Sequence, residues 1–123
     1  MLIILLAEDD DMSRDMLSRR LAKLGYVVIE ARNGAEAIDA ARAENPDLII
    51  MDLCMPQMDG IEAMKKLKAD QKTARIPIIA LTALNTAADV KRAVAAGCSG
   101  YETKPIAMLR LNFKIRKLLG HEK

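Results

Sequence analysis

The sequence is poor in the residues on which several kinds of active site depend. It has two cysteines, Cys54 and Cys98, which lie 44 positions apart, and one histidine, His121, among the last three residues. Without a Cys-x-x-Cys pair or a second histidine, this inventory excludes a zinc site and a histidine-dependent nucleophile. Nothing suggests secretion, so we expect a cytoplasmic protein with reduced thiols.

Aromatic residues, glycine-rich loops and long apolar runs are also scarce. Tryptophan is absent, and the few aromatics (Tyr26, Tyr101 and Phe113) argue against a stacking platform for single-stranded nucleic acid. No glycine falls in a Gly-x-Gly-x-x-Gly or Gly-Lys-Ser/Thr loop, so a nucleotide-binding function loses its main support. The apolar run at 2–7 is far shorter than the roughly 18 residues of a membrane span. We therefore expect no membrane segment.

What remains is an ordinary globular composition with an uneven distribution of charge. The chain has 123 residues, of which 51% are hydrophobic and 29% charged, which fits one domain. Residues 104–123 hold six lysines or arginines against one glutamate, whereas residues 1–103 hold 13 against 16 acids. The net charge of +2 therefore divides into a mildly acidic body and a basic C-terminal segment.

Short apolar runs alternate with longer amphipathic stretches. The runs are typical of parallel strands buried on both faces and fall at 2–7, 26–29, 48–51, 77–81 and, more weakly, 99–103. The stretches have helical periodicity and fall at 12–24, 35–44, 61–69, 87–96 and 106–119. This order predicts an α/β fold of five βα repeats with right-handed crossovers.

Several helix faces and ends can also be predicted. The first helix has one apolar stripe, which we expect to be buried: Met12, Met16, Leu17, Leu21 and Leu24. In the fourth helix we expect Val90 and Val94 on the buried side, after a capping box from Thr86 to Asp89. Glycine follows three helices, where a left-handed residue is favoured: Gly25, Gly97 and Gly120.

Polar residues follow four of the five predicted strands. The first strand ends in the acidic run 8–11, the third in Asp52, the fourth in Thr82 and the fifth near Lys104–Pro105. In an open α/β sheet, ligands bind outside the carboxyl ends of the strands. We therefore expect carboxylates, a hydroxyl group and an ammonium group to meet at one edge of the sheet.

These groups suit metal-assisted phosphoryl transfer. Two carboxylates from neighbouring strands, Asp9 and Asp52, repel each other, and a magnesium ion removes that cost. Asp52 could attack phosphorus, while Lys104 and Thr82 stabilise the charge on the phosphoryl oxygens. Other interpretations remain: the acids at 10 and 11 suit a helix cap, Lys104 could be an ordinary surface lysine, and Thr82 could satisfy backbone groups at the strand end.

Five motifs occur in order, at 4–9, 47–52, 55–60, 76–83 and 97–105. With them the sequence resembles the receiver domain of two-component response regulators over essentially its whole length. The resemblance implies a CheY-like, flavodoxin-like (βα)5 doubly wound sandwich with strand order 2-1-3-4-5. It implies one receiver domain at 1–120, a tail at 121–123 and no effector domain.

The resemblance also implies roles for individual residues at the metal site. Asp52 corresponds to the phosphoacceptor, which receives its phosphoryl group from a sensor histidine kinase or a His phosphotransfer protein. Asp9 and Asp52 correspond to ligands of Mg²⁺ or Mn²⁺, Glu8 to one acting through water, and Cys54 to a ligand through its backbone carbonyl. Such a domain is a regulatory phosphoacceptor rather than an enzyme with its own substrate.

A second set of implied roles concerns switching. Lys104 would pair with the phosphoryl group, and the Lys104–Pro105 bond would be cis. Thr82 and Tyr101 correspond to the family's two switch residues, and the surface of the fourth helix, fifth strand and fifth helix would bind a protein partner. We expect no direct binding to nucleic acid or to a membrane.

Two positions depart from the family pattern. Leu84, two residues after Thr82, could restrict the attacking water and prolong the phosphorylated state, or it could be a loop residue that packs locally. On the fifth helix, Leu109 and Phe113 should lie opposite the buried face, among basic residues such as Lys117. We expect an output or homodimer surface there, formed by Tyr101, Leu109, Phe113 and Lys117, although scattered surface hydrophobics are common.

Three other functions compete with a phosphorylated switch. A degenerate receiver that only binds partners is disfavoured because Asp52 and Lys104 are both present. A magnesium phosphatase of the haloacid dehalogenase type would need a second aspartate where Cys54 stands. DNA binding rests only on the basic C-terminal segment, with no separate reading helix.

Overall fold

Five parallel strands alternate with five helices along the chain. The computed structural model describes residues 1–53, 55, 60–83 and 87–120. The strands are β1 (Ile3–Ala7), β2 (Val27–Ala31), β3 (Leu48–Asp52), β4 (Ile78–Thr82) and β5 (Gly100–Thr103). The helices are α1 (Asp11–Lys23), α2 (Gly34–Glu44), α3 (Gly60–Ala69), α4 (Ala87–Ala96) and α5 (Met108–Leu118). The sheet order β2-β1-β3-β4-β5 confirms the predicted topology.

The sheet separates two hydrophobic layers because successive side chains of a strand point to opposite faces. One layer joins the sheet to α1 and α5 and includes Ile4, Leu6, Leu48, Ile50, Ile79 and Leu81. The other joins it to α2, α3 and α4 and includes Leu5, Ala7, Ile49, Met51, Ile78 and Ala80. Strands buried on both faces explain why their sequences are nearly continuous apolar runs.

The ends of the helices follow local sequence signals. Asp10 caps α1, since its carboxylate accepts a hydrogen bond from the Ser13 amide at 2.8 Å, as the capping interpretation of the acidic run predicts. Gly25 and Gly97 adopt φ values of 99° and 109° after α1 and α4, as the predicted C-terminal glycines require.

The predicted buried stripe of α1 is wrong at three of its five positions. Leu17 and Leu21 are buried, whereas Met12, Met16 and Leu24 are 78%, 50% and 46% exposed. The first turns of α1 lie at the carboxyl edge of the sheet, where Met16 lines a cavity rather than a packed core. Leu24 lies beyond the last helical residue, at the C-terminal cap of α1.

The predicted buried face of α4 is also wrong. The helix packs through Ala93 and Ala96, Val90 is half-buried, and Val94 is 57% exposed. Val94 follows Ala93 by one residue, which rotates it by about 100° away from the contact. Thr86, the first residue of the predicted capping box, lies outside the described residues.

The helices of the described ranges are short. None of them is both long enough and apolar enough to cross a membrane.

Candidate functional site

The register of the sheet brings the predicted site residues to its carboxyl edge. Ala7 pairs with Met51, so the next residues along the two strands, Glu8 and Asp52, are neighbours. On the other side of β3, β4 ends at Thr82, which pairs with Thr103 of β5 immediately before Lys104. Four strand ends therefore present their polar residues side by side.

Lys104 joins these strand ends. Its ammonium Nζ lies 3.2 Å from Glu8 Oε1 and 3.1 Å from Asp52 Oδ2, and its backbone amide donates to the Thr82 carbonyl at 2.9 Å. The Lys104–Pro105 peptide bond is cis. One residue thus contacts groups from β1, β3 and β4.

The charges of this cluster are strongly perturbed by burial. Glu8 and Asp52 are each only 2% exposed. Burial raises the pKa of Glu8 to about 7, and the neighbouring Asp52 carboxylate adds to the rise. Burial opposes the charge of Lys104, but the two carboxylates outweigh it and raise the pKa of this ammonium group. The charged form of Glu8 is therefore disfavoured at this position, although Lys104 pairs with it.

The carboxylates fit a divalent cation. Glu8, Asp9 and Asp52 each offer an oxygen within 4.8 Å of the others. The three carboxylates together carry more negative charge than Lys104 can neutralise. Mg²⁺ and Mn²⁺ prefer such clusters of oxygen ligands. Asp9 is exposed and so accessible to an ion from solvent. Cys54, the remaining predicted ligand, lies outside the described residues.

The two predicted switch residues differ in their surroundings. Thr82 is 5% exposed at the end of β4. Tyr101 is half-buried in β5 and packs against the layer of α2, α3 and α4. The Lys114 ammonium of α5 donates to the Tyr101 carbonyl at 2.5 Å and lies 5.4 Å from the centre of its ring. Tyr101 is therefore linked to α5 through both backbone and ring.

A cavity of about 470 Å³ adjoins the cluster, between α1 and the segment after β5. Its lining includes Glu8 and Lys104 together with Met16 and Pro105. The cavity leaves Lys104 accessible, since 32% of its side chain is exposed. The site thus combines buried carboxylates with an open approach to the lysine.

The predicted output surface on α5 is exposed. Leu109 is 91% and Phe113 55% exposed, and the Lys117 ammonium lies 6.0 Å from the centre of the Phe113 ring. Leu111 and Ile115, on the predicted core side of α5, are buried. Leu84, the other predicted departure, lies outside the described residues.

Two charged residues beside this site were not predicted from the sequence. Arg14 contacts the backbone of Glu8, and the buried Glu102 of β5 forms ion pairs with Arg110 and Lys114. A signal existed for Arg14, which stands three residues after Asp11 and so on the same side of α1. For Glu102 the signal was a carboxylate inside a predicted buried strand.

Comparison with known proteins places this site in a family. The chain is 38% identical to the polar-differentiation response regulator DivK of Brucella anthropi over 117 residues, which cover 95% of each chain. It is 32% identical to the receiver domain of sensor histidine kinase PA1611 from Pseudomonas aeruginosa, with a TM-score of 0.91 and coverage of 97% and 98% of the two chains. That structure has a magnesium ion coordinated in its active site cleft.

A third relative has the same fold. The chemotaxis protein CheY4 of Vibrio cholerae is 30% identical, with a TM-score of 0.91 over 97% of this chain and 99% of that one. The sequence profile of the response regulator receiver domain matches residues 4–116. The chain therefore belongs to the response regulator receiver domains of two-component systems, whose general function is phosphorylation-dependent switching.

Proposed function

We propose that this protein accepts a phosphoryl group on Asp52 from a histidine kinase or a His phosphotransfer protein and changes its α4/β5/α5 surface in response. One observation carries the proposal: the Lys104 ammonium lies 3.1–3.2 Å from both buried carboxylates, Glu8 and Asp52. A carboxylate beside an ammonium group and a cluster of acidic residues that suits a metal ion is placed to attack phosphorus while cations stabilise the phosphoryl oxygens.

Receiver domains bind Mg²⁺ at an acidic pocket, and the acids of this chain suit that ion. Glu8, Asp9 and Asp52 would hold it, together with the Cys54 carbonyl. When bound, Mg²⁺ neutralises negative charge on the carboxylates and on the phosphoryl oxygens. Burial, with the neighbouring Asp52, raises the pKa of Glu8 to about 7, so the charged form of Glu8 would be favoured by a cation at this site.

The transfer itself requires little acid–base chemistry. An Asp52 carboxylate oxygen forms a bond to phosphorus as the bond from phosphorus to the donor histidine nitrogen breaks; the donor ring, protonated at its other nitrogen, keeps the bonding electron pair and leaves as a neutral imidazole. Lys104 is already beside Asp52 and can pair with a phosphoryl oxygen without a large movement. The Thr82 hydroxyl, at the next strand end, supplies a second partner for the phosphoryl group.

The negative charge of the added phosphoryl group causes the conformational change. A phosphoryl group adds about −1.5 to −2 charge, and Lys104 and Thr82 interact with it differently in two conformations, so the population shifts. Tyr101 transmits the change to the surface formed with Leu109, Phe113 and Lys117. That surface then binds a protein partner or a second copy of this chain.

Intact mass spectrometry tests the proposal. Incubation with Mg²⁺ and acetyl phosphate or phosphoramidate should add the mass of one phosphoryl group to the wild-type chain. The adduct should be absent in Asp52→Asn and present in Asp39→Asn, which removes an exposed acid of α2. An undiminished adduct in Asp52→Asn would contradict the acceptor, and no adduct with any donor would favour a receiver that only binds partners.

A further inference from the structure

Arg14 of α1 lies next to the acidic turn and contacts three residues. Its Nη1 donates to the Glu8 carbonyl at 2.9 Å, its Nε lies 3.2 Å from Glu30 Oε1, and its Nη2 lies 2.5 Å from Asp11 Oδ1. Only 12% of the side chain is exposed. Arg14 therefore joins the end of β1 to β2 and to the start of α1.

These contacts complete the restraint of Glu8. The Glu8 amide donates to the Ala31 carbonyl at 3.0 Å, and its carboxylate accepts from the Asp10 amide at 3.2 Å. Its own carbonyl lies beyond the last ladder position of β1 and is bound by Arg14 instead. Every polar group of Glu8 thus has a partner within the described part of the chain.

The carbonyl that Arg14 binds belongs to the peptide unit joining Glu8 to Asp9. Because this unit is planar, its orientation fixes the N–Cα bond of Asp9, from which the side chain branches. The Asp9 carboxylate itself makes no hydrogen bond or ion pair with any residue described in the structure, and it is exposed. Its position therefore depends on the backbone on either side of it.

A cation beside a metal site would ordinarily weaken metal binding by repulsion. Here one guanidinium group faces two carboxylates, those of Asp11 and Glu30. Its charge is therefore offset locally. The planar fork of arginine can reach three acceptors at once, which a lysine ammonium on a flexible stem cannot reproduce with the same geometry.

We propose that Arg14 is a positioning residue for the metal site: by fixing the peptide unit between Glu8 and Asp9, it aims the Asp9 carboxylate at the ion. This inference rests on the proposed function, since it assumes that Asp9 is a metal ligand. It assigns to Arg14 the kind of support that outer partners of metal ligands provide.

Replacing Arg14 separates a positioning role from a purely electrostatic one, because the two roles predict changes of opposite sign in the Kd for Mg²⁺. The full-length chain with Arg14→Met should bind Mg²⁺ about tenfold more weakly than wild type. A mere loss of positive charge would tighten binding. Arg20→Met is the matched control: it removes the same charge from the same helix, and Arg20 forms no hydrogen bond or ion pair with Glu8 among the described residues. Its Kd should remain wild type or decrease.

Calorimetric or NMR titration with MgCl₂, without a phosphodonor, gives the Kd, and urea unfolding without Mg²⁺ gives the stability. Tighter binding by Arg14→Met, or an unchanged Kd with lower stability alone, would overturn the inference. If Arg14→Met fails to fold, Arg14→Lys decides, since it keeps the charge without the fork. A Kd several-fold weaker supports positioning, and a wild-type Kd overturns it.

The same titrations keep this inference distinct from the proposed function. A wild-type chain that binds Mg²⁺ yet gains no phosphoryl group would contradict the proposed function and leave the Arg14 result standing. A phosphorylated wild type with an Arg14→Met variant of unchanged Kd would overturn only the role of Arg14. A wild type that binds no Mg²⁺ would overturn the role of Arg14 directly.

Discussion

At the scale of single residues, Gly60 determines how closely α3 can approach the proposed acceptor. A Cβ atom at this position would lie 2.3 Å from the Asp52 carbonyl oxygen and 2.6 Å from Leu53 Cα. The Gly60 amide also donates to the Leu53 carbonyl at 3.2 Å. Since both neighbours are backbone atoms, the chain must shift if a side chain is added here.

We therefore expect Gly60→Ala to lower the free energy of unfolding by about 1–3 kcal/mol, the cost typical of overpacking. It should also slow phosphorylation, because the shift displaces the backbone of Asp52. Gly100→Ala is the control, since nothing lies within 4 Å of a Cβ built there. Urea unfolding measures both, and equal stabilities of the two variants would contradict the steric argument.

Single residues of the site differ in how well sequence predicted them. Asp52 and Lys104 each follow a buried strand, so the topology alone brings them to one edge. The spacing of Asp11 and Arg14 indicates their ion pair, but nothing indicates the contact of Arg14 with Glu8, because that contact is made to a backbone carbonyl, which every residue possesses. Residues that act through the backbone are therefore the least visible in a sequence.

At the scale of elements, a buried ion cluster joins β5 to α5. The Glu102 carboxylate is 1% exposed and pairs with Arg110 at 2.8 Å and with Lys114. Burial raises the pKa of Glu102, but the hydrogen bonds from Lys114 and Arg110 outweigh it and leave the pKa below its ordinary value. Because Lys114 also contacts Tyr101, this cluster holds α5 against the proposed switch residue.

A carboxylate with a depressed pKa stabilises the folded state above its unfolded pKa of about 4.3 and loses that contribution as the pH falls through its folded value. Glu102→Gln should therefore lower the free energy of unfolding by about 1–3 kcal/mol at pH 7. The difference from wild type should shrink below about pH 4. The expected loss of stability is no larger because Arg110 is 56% exposed and can be hydrated.

Urea unfolding between neutral and acidic pH checks this dependence. Glu44→Gln, at an exposed position of α2, should follow the wild-type curve throughout. Parallel curves for Glu102→Gln and wild type would show that the buried cluster does not titrate as proposed.

The positions of the strands and helices were predicted well, and the buried faces of the helices less well. Strand runs and helical periods located all ten elements, because each pattern reflects the burial of a whole strand or helix. The outer positions of α1 and α4 were wrong, because periodicity marks an apolar direction but not where the neighbouring sheet ends. Met12 and Val94 are apolar and yet exposed for this reason.

At the scale of the whole molecule, charge and exposed apolar area coincide on α5. Leu109 and Phe113 stand among Arg116, Lys117 and Arg110, on the surface that we propose as the output. An apolar pair within a basic surround suits a protein partner, including a second copy of this chain.

Sedimentation tests the second-copy version. With Mg²⁺ and phosphoramidate present, wild type should sediment faster than without them, and Phe113→Ala should remain monomeric. Its stability should change by only about 0.5 kcal/mol because the side chain is exposed. Met12→Ala, which removes an exposed apolar residue of α1, should behave as wild type. Identical monomers of wild type and Phe113→Ala in both states would exclude the dimer.

The fold, the strand order and the acids, hydroxyl and lysine of the site follow from the sequence, because alternating buried strands and helices allow few topologies and parallel strands end at one edge. The distances between the site residues, their ion pairs and their burial are known only from the folded structure. Neither the bridge from Lys104 to Glu8 and Asp52, nor the pKa of Glu8 near 7, nor the contact from Arg14 to a carbonyl is encoded in a local pattern. The first two arise because residues far apart in sequence are desolvated together when the sheet assembles, and the third depends on how α1 follows the end of β1 in the folded chain.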